Sequence, residues 1–176
     1  MLDAAMPRFV AFLRGVSPLN AKMPELKRCF EAAGFDRVRT ILSSGNVVFD
    51  STFTSTSDLE HRIEAAMLEH LGRTFYTIVR PSAELQVLLT TDPFEPFAFP
   101  PQAKRVVSFL REVRLPKVPL PLTEGFATVA CQHGAEVFTA YIAGDEGPVF
   151  MKLIERAFGT DVTTRTWETV RKCAAA

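Results

Sequence analysis

The sequence predicts an α+β protein of two consecutive units, each an antiparallel sheet with helices packed on one face. Three observations predict it. Residues 7–91 carry strand and helix signals in the order β-α-β-β-α-β, followed by one more helix. The second half then opens as the first does: Arg105–Val113 reads R-V-V-S-F-L-R-E-V against R-F-V-A-F-L-R-G-V at Arg8–Val16, identical at six of nine positions. Finally, 176 residues with 47% apolar side chains are enough for one large domain or two small ones, each with a core.

Arg8–Val16 is a strongly apolar strand ending at Gly15. A polar loop follows through Pro18 and Asn20. Pro24 suits the start of a helix, where its missing N–H is not needed. Leu26, Cys29, Phe30 and Ala33 form that helix's apolar face, and Gly34 is placed to end it. Val38–Leu42 is a short strand, Ser43-Ser44-Gly45 a turn, and Asn46–Ser51 the returning strand. Ser57 and Glu60 fit a capping box opening a helix with Leu59, Ile63, Ala66, Met67 and Leu71 on one side. Gly72 closes it. Thr74–Val79 is a fourth strand, and Ser82 is read as the cap of a helix burying Leu85, Leu88 and Leu89. This order is the split βαβ, or ferredoxin-like, pattern.

Residues 92–103 read as a connector, with Pro93, Pro96, Pro100 and Pro101 between Phe94, Phe97 and Phe99. Such a segment is stiff and aromatic, and it is expected to pack on the body. Residues 104–176 are then a second, eroded ferredoxin-like unit with a C-terminal helix. Its first crossover holds Pro116, Pro119 and Pro121, too many for a helix interior, so an irregular connection is expected there. Phe126–Cys131 and Val137–Ile142 form a hairpin around Gly134. Gly147-Pro148 opens a helix with Val149, Leu153, Ala157 and Phe158 inward, and Thr166 is placed to cap the last helix.

These segments carry a resemblance. F-L-R-G-V at Phe12–Val16, A-G-F at Ala33–Phe35 and V-R-T-I-L-S-S-G-N-V-V-F at Val38–Phe49 come first. D-P-F at Asp92–Phe94 and T-T-R-T-W-E-T-V at Thr163–Val170 follow in order. Together they resemble the domain-of-unknown-function 1697 family of small bacterial proteins. The resemblance implies a tandem ferredoxin-like architecture and no activity. The loop after Gly15 is shorter than in many members, which carry a Gly-rich stretch there, and Thr166 stands where the family usually has Asn.

Composition narrows function. Lys+Arg and Asp+Glu are equal at 20 each, so no general attraction to nucleic acid or an anionic membrane is expected. Cys29, Cys131 and Cys173 are too far apart for a C-x-x-C site, and free thiols fit a cytoplasmic protein. The opening residues lack a signal-peptide pattern, and no apolar run is long enough to span a bilayer. Phosphate-binding glycine loops, H-E-x-x-H and G-x-S-x-G are absent. His61, His70 and His133 are scattered, with His70 read as half-buried, so neither a metal nor a cofactor is expected. The pairs Glu60/Glu64 and Glu25/Glu31 read as solvated helix faces, and Asp145 and Glu146 as loop acids.

One constellation follows from topology. The spatial strand order 4-1-3-2 gathers Arg14, Gly15, Ser44, Asn46 and Arg73 on one rim of the first sheet. A cation, a hydroxyl and an amide beside a loop suit an anion, whereas Ser-Gly-Asn is also ordinary turn chemistry. Arg165 and Trp167 are the second candidates, with Trp167 equally readable as core. The reading is a non-catalytic binding module for a small anionic ligand or a protein partner, a second copy included. An enzyme acting on an anionic molecule at the Arg14/Ser44/Asn46 rim, and a nucleic-acid binder, stay as alternatives.

Overall fold

The structure is a computed structural model that describes residues 5–144 and 147–176. The chain divides into two compact units: Met1–Val87 with Arg171–Ala176, and Leu88–Val170.

In the first unit β1 (Arg8–Leu13) is followed by α1 (Met23–Ala32), β2 (Asp36–Ile41), β3 (Asn46–Asp50), α2 (Thr56–Leu71) and β4 (Thr77–Pro81). The sheet order is β2-β3-β1-β4, antiparallel throughout. One face of the sheet meets α1 and α2. There Phe9, Ala11, Leu13, Val47, Phe49 and Val79 pack with Leu26, Phe30, Leu59, Ile63 and Met67. Phe49 stacks on Phe9 at 5.8 Å and meets Phe35 at 4.6 Å.

Several expectations need correction here. α2 starts two residues earlier than the Ser57/Glu60 pattern suggests: Ser55 is the cap, its hydroxyl accepting from the Asp58 N–H. Glu60 is buried, not on a solvated face. Ser82 caps nothing; it is the first residue of α3 (Ser82–Thr91), and its buried hydroxyl has no hydrogen-bond partner among the described residues. β4 begins at Thr77, three residues later than expected, which leaves Tyr76 half-buried ahead of the strand. Nor is the second face of the sheet open along β1, β3 and the edge strand β4, since Val10, Phe12, Val48 and Ile78 are also fully buried. A near-continuous apolar run, rather than strict alternation, is what a strand covered on both faces requires.

The second unit holds β5 (Lys104–Leu110), β6 (Leu122–Glu124), β7 (Ala127–His133), β8 (Glu136–Tyr141), α4 (Val149–Phe158) and β9 (Val162–Thr166). Its order is β6-β7-β8-β5-β9, again antiparallel. Without β6 this is the order of the first sheet, with β5 in the place of β1. Even a turn contact is repeated: Leu13 N–H donates to Gly45 O, and Leu110 N–H to Ala135 O, each at 2.8 Å.

The proline-rich segment 111–121 is irregular, as expected. It lies against α4 instead of forming a helix of its own. Lys117 N–H reaches Ala157 O at 2.7 Å, Arg114 Nε reaches Phe158 O at 2.8 Å, and Val118 and Leu120 pack on the core that α4 shares. The three-residue edge strand β6 was not expected; L-T-E has no run of strand-forming residues to announce it.

Candidate functional site

The topology assembles the predicted rim. Arg14 N–H donates to Tyr76 O at 2.8 Å, and Leu13 N–H bonds the β2–β3 turn, so the end of β1 lies between that turn and the approach to β4. Gly45 makes the turn possible. Its φ is +83°, and a Cβ there would lie 2.9 Å from both Leu13 O and Val16 Cβ. Arg14, Gly15, Ser44 and Asn46 therefore share this edge of the first unit.

The loop after Gly15 is short but well fixed. Asn20 Oδ1 accepts from Ser17 N–H at 2.9 Å, while Asn20 Nδ2 donates to Gly15 O at 2.7 Å. Arg73 Nη1 in turn donates to Asn20 O at 3.0 Å, and its guanidinium lies 5.6 Å from the Phe75 ring. Arg73 thus has a loop-holding role. Asn20 is the residue that organises this loop and was not singled out; its S-P-L-N turn context was the available signal.

The rim residues differ in how far the protein already uses them. Asn46 is fully buried, and its Nδ2 donates to Ile41 O at 3.0 Å and to Ser44 Oγ at 3.1 Å. Its amide is thus committed to the turn, and Ser44 takes a hydrogen bond from an amide. Arg14 is exposed, and its guanidinium makes no hydrogen bond or ion pair with a described residue.

Arg165 and Trp167 belong to the second unit. Arg165 stands on β9 opposite Val107, and its Nη1 donates to Thr163 Oγ1 at 3.0 Å and Thr164 O at 2.9 Å. Trp167 is 7% exposed and meets Phe94 and Phe138 edge-on at 5.2 and 6.4 Å. Its geometry is that of a core side chain, not of a ligand contact. It opens α5 (Trp167–Ala175), which Thr166 caps by accepting from Thr169 N–H at 3.1 Å. Asp92 arranges Phe94 from the other side: Oδ1 accepts from Phe94 N–H at 3.1 Å, and Oδ2 lies 3.6 Å from Arg105. The connector's Phe94 is thus part of this core.

At the far end of the first sheet lies an ion cluster absent from the sequence reading. Asp50 Oδ1 accepts from Arg8 Nη1 at 2.6 Å, and Oδ2 pairs with Arg37. Arg8 also donates through Nε to Ala176 O at 2.8 Å. Burial by itself would raise the Asp50 carboxyl, but Arg37 and Arg8 outweigh it and hold the group below its ordinary range. The arrangement is saturated by its own partners and ties down the chain end.

Other candidates dissolve. His70 is exposed rather than half-buried, and His133 lies 5.4 Å from the Phe138 ring. Among the described residues no three His, Cys, Asp or Glu side chains could hold a metal. Asp145 and Glu146 lie outside the described residues. The thiols of Cys29 and Cys131 are pushed up by burial, away from a reactive thiolate. No described helix is long and apolar enough to cross a membrane.

The sequence model of the family described as "Protein of unknown function (DUF1697)" matches residues 6–125. No curated protein sequence matches the chain. Among solved structures, a conserved bacterial protein from Streptococcus pneumoniae aligns at a TM-score of 0.71 and 16% identity, over 97% of this chain and 98% of that one. At that identity the likeness concerns the fold alone.

Proposed function

The chain belongs to the DUF1697 family of proteins of unknown function, and from that premise we propose that it is a binding module without catalysis, taking a small anionic ligand at the β1 rim of its first unit. The observation that carries this reading is Arg14. It is an exposed cation with no protein partner among the described residues, on a rim where Arg73, Asn20 and Asn46 are already committed to structure. An exposed guanidinium beside the loop that Asn20 fixes suits a phosphate or carboxylate.

The enzyme alternative finds less support. Ser44 receives the Asn46 amide, which cannot serve as a base. Nucleic-acid binding finds less still, because the net charge is zero. We further read the units as two ferredoxin-like folds in tandem, the second having lost its first helix; the shared strand order supports this. A cytoplasmic location fits three free cysteines.

The test is a thermal-shift panel of inorganic phosphate, phosphosugars, nucleotides and carboxylates on the wild type and Arg14→Ala. A ligand of the folded state at about 100 times its Kd stabilises by about 2.7 kcal/mol. A rise in Tm that vanishes in Arg14→Ala is the expected result. No rise with any compound, or one that Arg14→Ala leaves intact, would sink the reading.

A further inference from the structure

The second unit contains a cleft of about 800 Å³, lined by none of the rim residues of the first unit. Small-molecule sites span about 300–1,000 Å³. Three elements form it. The β6–β7 turn supplies Glu124, Gly125 and Phe126; the end of β8 supplies Tyr141 and Ile142; the start of α4 supplies Val149 and Phe150.

The walls are aromatic and prearranged. Tyr141 and Phe150 stack face to face, 3.9 Å apart with 8° between their planes, a half-buried aromatic pair that joins β8 to α4. Phe126 faces water: the residue is 76% exposed. Its backbone is nevertheless fixed, since Ile142 N–H donates to Phe126 O at 2.9 Å. A large aromatic held in the open at the edge of an apolar hollow is the kind of surface a ligand covers. Charge adds direction. Of the described lining residues, Glu124 alone is charged; it is exposed and makes no hydrogen bond or ion pair with a described residue.

We propose that this cleft binds a small, flat aromatic molecule carrying a cationic group, its ring packed between the stacked Tyr141/Phe150 pair and Phe126, its cation against Glu124. The inference is independent of the rim: different residues of a different unit would bind a ligand of opposite charge.

p-Aminobenzamidine is a suitable probe, being a planar amidinium whose fluorescence rises in apolar surroundings. It is titrated into the full-length wild type, Phe126→Ala, Glu124→Gln and Arg14→Ala, with the Tm of each variant measured alongside. The expected result is saturable binding of one equivalent. Phe126→Ala and Glu124→Gln should each weaken it about tenfold, the scale of one desolvated aromatic or charge contact. Arg14→Ala should bind as wild type does. Both cleft side chains are exposed, so folding should be unaffected. No saturable signal up to about 5 mM, weaker than any useful site, would overturn the proposal. So would wild-type affinity in both cleft variants. Loss in Phe126→Ala without loss in Glu124→Gln would overturn the cationic class.

Discussion

The ring of Phe94 meets the ring of Trp167 edge-on, with centroids 5.2 Å apart and planes at 81°. The first residue stands in D-P-F and the second in T-T-R-T-W, so two distant segments close one core in the second unit. Phe94 is fully buried, and truncating such a ring leaves a cavity. Phe94→Ala should destabilise by about 3–5 kcal/mol. The lone tryptophan reports it directly: native emission should be blue-shifted and poorly quenched by iodide, and in Phe94→Ala it should shift to the red. Unchanged emission and stability would contradict the packing described.

Two glycines with the same backbone sign should respond differently. Gly45 has φ +83° and no room for a Cβ, whereas Gly15 has φ +80° and no atom within 4 Å of one. Gly15→Ala should therefore cost about 1 kcal/mol, the left-handed penalty alone. Gly45→Ala adds overlap with backbone and should cost several-fold more, with loss of the β2–β3 turn. Urea titrations of the two variants make the comparison.

Asp50 predicts an acid response. Its carboxyl titrates lower in the folded chain than its unfolded value of about 3.9. A depressed group contributes stability that is present above the unfolded value and is lost as pH falls through the folded one. Wild-type stability should therefore fall more steeply below about pH 4 than that of Asp50→Asn. At neutral pH that variant should be less stable by about 2 kcal/mol, because Arg8 then keeps no carboxylate partner in a half-buried place. Parallel pH curves would rule the account out.

Much of this was legible because the signals were local. The R-x-V-x-F-L-R strand appears twice, and Gly34 and Gly72 mark the ends of α1 and α2. Where two local patterns competed, the sequence could not choose. Ser55 and Ser57 both stand before the same apolar stripe, and it is Ser55 whose hydroxyl takes the Asp58 N–H. The Asp50 cluster was hidden because Arg8, Arg37 and Asp50 meet only through strand pairing and the bulge between Asp36 and Arg39. Likewise the aromatic cleft draws on three separated segments, each an unremarkable turn or strand end by itself.

The two arginines of the rim separate a structural from a functional role. Arg73 donates to Asn20 O and so supports the loop through which Asn20 reaches Gly15. The Arg14 guanidinium makes no hydrogen bond or ion pair with a described residue. Arg73→Ala should lower stability by about 1 kcal/mol, the net value of one hydrogen bond with its loop ordering, and should weaken anion binding only indirectly. Arg14→Ala should leave stability within about 0.5 kcal/mol of wild type and abolish the anion-dependent rise in Tm. Arg14→Lys keeps the charge but not the planar two-pronged donor, so it should restore part of the rise for phosphate and less for a carboxylate that needs both prongs. If Arg14→Ala instead destabilises the protein as Arg73→Ala does, Arg14 is a structural residue and the anion site loses its cation.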